Sequence, residues 1–113
     1  MTVPELVAHR GWALHCPENT RAALTAAIGA GARFLETDVQ VSSDGVPFLF
    51  HDRSLDRMCG VPGALHERDA AALGRLHASE EKSFGPRFAN EPIARLDVLP
   101  PLLAAHPSVF CFV

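Results

Sequence analysis

The sequence has no apolar run approaching the ~20 residues that a membrane-spanning helix takes. Its most apolar late stretch, Val98 to Val109, is interrupted by Pro100, Pro101 and Pro107. The opening Met1-Thr2-Val3-Pro4-Glu5 lacks a basic patch and an apolar core, so no secretory signal is expected. Cysteine is scarce. Cys16, Cys59 and Cys111 are odd in number, far apart and without a Cys-x-x-Cys pair, which excludes the usual zinc and dithiol signatures. They read as reduced, small apolar fillers in a cytoplasmic protein. Lysine is nearly absent, Lys82 being the lone one beside the arginines. A formal net charge of −3 argues against nonspecific nucleic-acid or anionic-membrane binding. No internal repeat or low-complexity segment is present. What remains is 113 residues with 48% apolar content, enough for a modest core in one domain or a piece of one.

The first half predicts strands alternating with a helix. Glu5 to His9 reads as a short apolar strand and Gly11 to Cys16 as a loop. Asn19 or Thr20 can cap a helix whose Ala23, Leu24, Ala27 and Ile28 recur at three-to-four spacing. Gly29 and Gly31 end it. Arg33 to Val41 reads as one strand, with Glu36, Asp38 and Gln40 on one face and Leu35, Thr37, Val39 and Val41 on the other.

Asp44-Gly45 is a strong hairpin signal, returning through Val46 to His51. With those two residues as the loop, Ser43 faces Val46, Asp38 faces His51 and Glu36 faces Arg53. Val41 then faces Phe48, and Val39 faces Phe50. Opposed residues share a face, so one side is apolar and the other gathers Glu36, Asp38, Gln40, His51 and Arg53. A one-residue slip would mix the two sets.

Further on, Leu55 to Gly63 reads as loop and His66 to Leu76 as a short helix. Ser79 to Pro92 reads as a long exposed loop. Leu96 to Ala105 reads as a weak helix that Pro100-Pro101 kinks or restarts. Val109 to Val113 reads as a buried strand.

Two carboxylates two apart on a strand sit about 7 Å apart along the backbone and can converge on one cation. Oxygen ligands of this kind suit Mg²⁺ or Ca²⁺. The plainer reading of Glu36 and Asp38 is a polar hairpin face turned to water. His9 ends an apolar strand ahead of Arg10 and Gly11. An imidazole there suits acid–base work, a guanidinium suits phosphate, and glycine lets the backbone turn tightly around a ligand. The plainer alternative is an exposed strand end. Trp12 either stacks on a substrate or packs. His15, His66, His77 and His106 have no partner pattern.

The run His9-Arg10-Gly11, Pro17-Glu18-Asn19-Thr20, Glu36-Thr37-Asp38-Val39, Asp44-Gly45-Val46-Pro47 and His51-Asp52 resembles the glycerophosphodiester phosphodiesterase family in order and spacing. Leu55-Asp56-Arg57 and Phe84-Gly85-Pro86-Arg87-Phe88-Ala89 to Pro92-Ile93 are similar to it too. The resemblance implies an α/β fold, a TIM (β/α)8 barrel with its active site at the C-terminal ends of the strands. It implies a divalent cation, Ca²⁺ or Mg²⁺, on Glu36 and Asp38, with His51 as ligand, base or both. It implies His9 and His51 as acid and base on a small-molecule glycerophosphodiester, and Arg10 on the phosphate. Pro17 to Thr20 is expected to be structural, setting the start of the first barrel helix. Products would be glycerol 3-phosphate and an alcohol.

A barrel of this type takes ~250 residues. Residues 1–113, with about four strands, are therefore expected to be the N-terminal portion of a single phosphodiesterase domain, about the first half of a barrel. The family's third metal carboxylate, in a Glu-x-Lys motif, would follow a strand like Val109 to Val113, and Arg95 stands where Pro-Thr is usual. The 113-residue chain alone is expected to be inactive. The other readings are a noncatalytic remnant or a phosphate- or metal-binding module, and a phospholipase of the sphingomyelinase D type. Exposed strand edges would also invite self-association.

Overall fold

A computed structural model describes residues 7–113. Glu5 and Leu6 of the expected first strand lie outside the described residues. The chain has an α/β fold built on two sheets. Strands β1 (Val7–His9), β2 (Phe34–Glu36) and β5 (Phe110–Phe112) form a parallel sheet in the order β1-β2-β5. Strands β3 (Val39–Val41) and β4 (Pro47–Leu49) form a separate antiparallel hairpin. Where about four strands were expected, the described residues hold five short ones, because the Arg33 to Val41 stretch divides into β2 and β3.

Helix α1 (Arg21–Gly29) crosses from β1 to β2. Thr20 caps it, its hydroxyl oxygen accepting from Ala23 N at 3.2 Å, which satisfies one of the orphan donors of a helix start. Ala23, Leu24 and Ala27 form its buried stripe. Leu24 and Ala27 pack with Leu35, Ala8 and Cys111 on one face of the parallel sheet. Alternation along the strands puts the rungs Val7–Phe34–Phe110 and His9–Glu36–Phe112 on the opposite face. Phe34 stacks on Phe110 and Phe112, with ring centroids 5.9 and 6.1 Å away. Phe110 and Phe112 are 57% and 56% exposed in this chain, where the composition predicts a buried strand. Only the rung residue facing the helices is partly covered.

The expected single strand from Arg33 to Val41 is broken at Thr37–Asp38. Glu36 ends in the parallel sheet and Val39 begins the hairpin. Thr37 N–H still donates to Phe112 O at 2.9 Å, and Asp38 O already accepts from Phe50 N, so the two residues belong to different partners. The hairpin register also differs by one residue from the two-residue-loop pairing. Val39 pairs with Leu49, Gln40 with Phe48 and Val41 with Pro47. Phe50 N donates to Asp38 O at 2.9 Å, so Asp38 opposes Phe50, not His51. The loop has three residues, Ser43 to Gly45, with Gly45 at φ +87°. Ser42 Oγ accepts from Val46 N, and Asp44 accepts from Ala70 N. These bonds favour the longer turn with a left-handed last residue.

The hydrophobic pattern cannot defend the shorter register because β4 buries both faces. Phe48 and Phe50 enter a cluster with Leu55, Met58, Leu65, Leu73 and Ile93. Leu49 enters the other cluster with Leu24, Leu35 and Leu99.

The middle of the chain is more ordered than its polar composition suggests. The loop expected before Gly63 holds α2 (Asp56–Cys59), ended by Gly60 at φ +68°. The helix expected over His66 to Leu76 is a 3-10 turn at Leu65–Glu67 followed by α3 (Ala70–Leu73), capped by Asp69 on Ala72 N. The stretch read as exposed loop contains α4 (Glu81–Phe84) and a 3-10 turn at Gly85–Phe88. Pro100 and Pro101 restart the last helix. A 3-10 turn at Leu96–Val98 runs into α5 (Leu99–Ala105), with proline in the first turn where its missing N–H costs nothing. Among the described residues, no helix is long and apolar enough to cross a membrane.

Candidate active site

The site grows from the C-terminal ends of β1 and β2. His9 and Glu36 are the last residues of their strands and form one rung. His9 Nε2 lies 3.2 Å from Glu36 Oε2. The contact is close but not aligned for a hydrogen bond, and Glu36 Oε2 is a buried oxygen without a hydrogen-bond partner. A carboxylate oxygen held dry in this way is costly unless something cationic meets it.

Just beyond the rung the backbone is strained. Arg10 and Asn19 hold φ of +59° and +58°, unusual for residues with a Cβ. Hydrogen bonds sustain the turn: Arg10 N donates to Glu36 O at 2.7 Å, and Asn19 N donates to Arg10 O at 2.9 Å. Gly11, at φ +79°, sits where a Cβ would come within 2.7 Å of the Ala23 backbone. The turn aims the Arg10 side chain at two carboxylates. Its Nε lies 3.0 Å from Asp38 Oδ2, and its NH1 donates to Glu18 Oε2 at 3.3 Å. The Nε contact is again one of charge, since the N–H has no aligned acceptor. Asn19 holds Asp38 from the other side, Nδ2 donating to Oδ2 at 3.1 Å.

His51 is reached through a second set of charges. Its Nδ1 lies 3.0 Å from Asp52 Oδ1. Arg57 on α2 donates to both Asp52 oxygens, at 2.8 and 2.9 Å, and to both Glu18 oxygens, at 3.0 and 2.9 Å. Glu18 is 9% exposed at its side chain, and both its oxygens are met by these two arginines. Hydrogen bonds from Arg57, and then from His51, hold the Asp52 carboxyl down at about 2. The same carboxylates, Asp52 first and Glu18 next, push Arg57 further up.

The structure therefore joins His9 to Glu36 and Arg10 to Asp38, and ties His51 to them through Asp52, Arg57 and Glu18. It does not set Asp38 across from His51. Glu18, His51 and Asp52 place ligand atoms within 4.8 Å of one another, a set that differs from Glu36, Asp38 and His51. The Arg57 guanidinium already occupies that cluster's carboxylates, which makes it an arginine site. At the end of β2, Glu36 Oε2 is buried beside His9 without an aligned hydrogen bond, an oxygen that a cation could meet.

Sequence reasoning treated Glu18 and Asn19 as part of a helix start and passed over the chemistry of Asp52 and Arg57. The signal available was their adjacency to Thr20 and to His51. Trp12 packs edge-on against His15, ring centroids 4.4 Å apart. It borders a cleft of about 610 Å³ along β1, lined with Val7, Ala8, Leu14 and Arg33. That cleft does not include His9, Glu36, Asp38 or His51.

The sequence profile of the glycerophosphoryl diester phosphodiesterase family matches residues 9–107. The chain is 50% identical over 68 residues to a glycerophosphoinositol inositolphosphodiesterase of Mus musculus, an overlap of 60% of this chain and 13% of that protein. It resembles the crystal structure of a glycerophosphodiester phosphodiesterase from Agrobacterium tumefaciens, with TM-score 0.85 and 32% identity over 96% of this chain and 46% of the other. It resembles equally an Oleispira antarctica phosphodiesterase solved with the product sn-glycerol-3-phosphate, with TM-score 0.86 and 32% identity over 96% of this chain and 43% of the other. The chain thus spans less than half the length of these relatives. A profile match over residues 9–107, most of the sequence, shows that the chain belongs to the glycerophosphoryl diester phosphodiesterase family.

Proposed function

We propose that this chain supplies the catalytic imidazoles and the cation-binding carboxylates of a glycerophosphodiester phosphodiesterase, and that its three parallel strands are the opening part of a (β/α)8 barrel. The observation that carries the reading is the shared rung of His9 and Glu36. It puts an acid–base group and an unmet carboxylate side by side at the strand ends, where barrel enzymes do their chemistry. The product bound by the Oleispira antarctica relative is sn-glycerol-3-phosphate, and a glycerophosphodiester is the matching substrate class here.

In this reading Arg10 holds the phosphate. Its NH1 lies at 3.3 Å from Glu18 and its Nε makes an unaligned contact with Asp38, so a phosphate oxygen can take over part of its donor fork. Glu36 and Asp38 would hold a divalent cation, Ca²⁺ or Mg²⁺. When bound, it offsets charge on the nonbridging oxygens and polarises the phosphorus.

His9 and His51 divide the proton transfers. One takes the proton of the attacking hydroxyl, either water or the free hydroxyl of the glycerol. The new P–O bond forms as the P–O bond to the alcohol breaks, and the other imidazole gives its proton to the departing oxygen. His51 is suited to the base role because Asp52 engages its Nδ1 and leaves Nε2 for the reaction.

The test is hydrolysis of a glycerophosphodiester such as glycerophosphocholine by the natural polypeptide that carries this chain, with Ca²⁺ or Mg²⁺ present. His9→Ala and His51→Ala should each cost about 10²-fold or more in rate. No turnover across a panel of glycerophosphodiesters, or turnover that survives both substitutions, overturns the reading. The 113-residue chain alone should turn over poorly or not at all.

A further inference from the structure

The most heavily bonded side chain near the site is Arg57, which the proposed chemistry leaves unused. It lies on α2, away from the strand ends. Its guanidinium makes two donor forks at once, one to Asp52 and one to Glu18. Glu80 Oε1 stands 3.6 Å from its NH1. The arginine therefore ties the loop before α1, the loop after β4 and the loop before α4. Both Asp52 oxygens are engaged by Arg57, and Oδ1 also meets His51 Nδ1. The carboxylate cannot turn away from the imidazole without losing the arginine fork.

We propose that Arg57 is a positioning residue for His51: it clamps Asp52 against Glu18 so that Asp52 accepts from His51 Nδ1–H and His51 Nε2 is left unprotonated toward the reacting phosphate. An ionised Asp52 can only accept, so this bond fixes the neutral ring as the Nδ1–H form. Lysine could keep the charge at position 57 but not the planar fork, because its ammonium is a point donor. Glu18 is the anchor at the other end. It is buried, it is shared with Arg10, and it couples the His51 clamp to the phosphate-binding arginine.

This proposal rests on the reading of His51 as an acid–base residue, but it is tested without turnover. The experiment records nitrogen–proton correlation spectra of the histidine rings in the natural polypeptide that carries this chain, above neutral pH, for the wild type, Asp52→Asn, Arg57→Lys and Arg57→Gln. Backbone amide spectra check that each variant is folded. The expected result is an Nδ1-protonated His51 in the wild type and loss of that preference in folded Asp52→Asn and Arg57→Lys. A wild-type ring already protonated at Nε2 overturns the proposal, as does an Nδ1–H form that persists in folded Arg57→Lys. Should both Arg57 variants fail to fold, the wild-type ring and Asp52→Asn still decide it, because an unchanged tautomer in Asp52→Asn removes the clamp's purpose. Activity of the natural polypeptide that survives His51→Ala would end the catalytic reading while leaving the ring's tautomer as measured.

Discussion

Asn19 grips Asp38 at two points. Its Nδ2 donates to Asp38 Oδ2 at 3.1 Å, and Asp38 N donates to Asn19 Oδ1 at 3.3 Å. The amide is nearly fully buried and its residue holds a left-handed backbone. The loop after β1 thus fixes the residue at which the chain leaves the parallel sheet for the hairpin. Replacing Asn19 by Gly keeps the backbone freedom and loses both bonds, at a cost of about 2 kcal/mol. Asn19→Ala adds the left-handed penalty and should cost about 3 kcal/mol. Urea unfolding of the two variants measures both the sum and the difference. Equal stabilities for wild type and Asn19→Gly would show that the grip contributes nothing.

Two glycines with positive φ should behave differently. A Cβ at Gly11 would lie 2.7 Å from Ala23 C and 2.8 Å from Ala23 O, whereas a Cβ at Gly45 meets nothing within 4 Å. Gly45→Ala should cost about 1 kcal/mol, the left-handed penalty alone. Gly11→Ala must also move the start of α1 and should cost upwards of about 3 kcal/mol. Thermal and urea melts of the pair check the contrast.

Stability should fall on acidification. The Asp52 carboxyl titrates at about 2 in the folded chain, below the ordinary 3.8. The unfolded chain therefore takes up this proton first. The stabilisation is fully present above about pH 4 and is lost as the pH drops through about 2. Asp44, held low by Ser42 and the Ala70 N–H, acts in the same direction. Urea midpoints measured between pH 5 and pH 2 should fall less steeply in Asp52→Asn than in the wild type. Parallel slopes would contradict the pairing with Arg57.

Cation binding should map to the end of β2. Calorimetric titration with Ca²⁺ or Mg²⁺ is expected to give a binding heat that disappears in Asp38→Asn and in Glu36→Gln. Replacing Glu18 by Gln should leave that heat in place, since Glu18 is engaged by Arg57 and Arg10. A heat that vanishes with Glu18→Gln and survives Asp38→Asn would instead assign the ion to the Glu18, His51 and Asp52 cluster.

The sequence by itself determined the local devices. The cap was legible at Asn19 or Thr20, and Gly31, at φ +97° just past the helix, as a stop, because a hydroxyl meeting a bare N–H and a residue without a Cβ act within one turn. The Pro100-Pro101 pair was legible only as a kink or a restart, and the structure makes it a restart. The motif series from His9 to Asp52, which lies within the family match over residues 9–107, was legible too.

Only the tertiary structure decided where strand 33–41 divides, since β2 and β3 answer to different partners and their alternation runs on unbroken. It also decided the hairpin register. Phe48 and Leu49 on β4 feed two different cores, so polarity could not choose between pairings, and side-chain bonds from Ser42 and Asp44 did. The exposure of Phe110 and Phe112 depends on which neighbours the sheet has, and composition does not carry that. The Glu18–Arg57 pair lies 39 residues apart in the chain. A charge contact of that separation leaves no periodic trace in sequence, because it depends on how α2 packs and on nothing local to either residue.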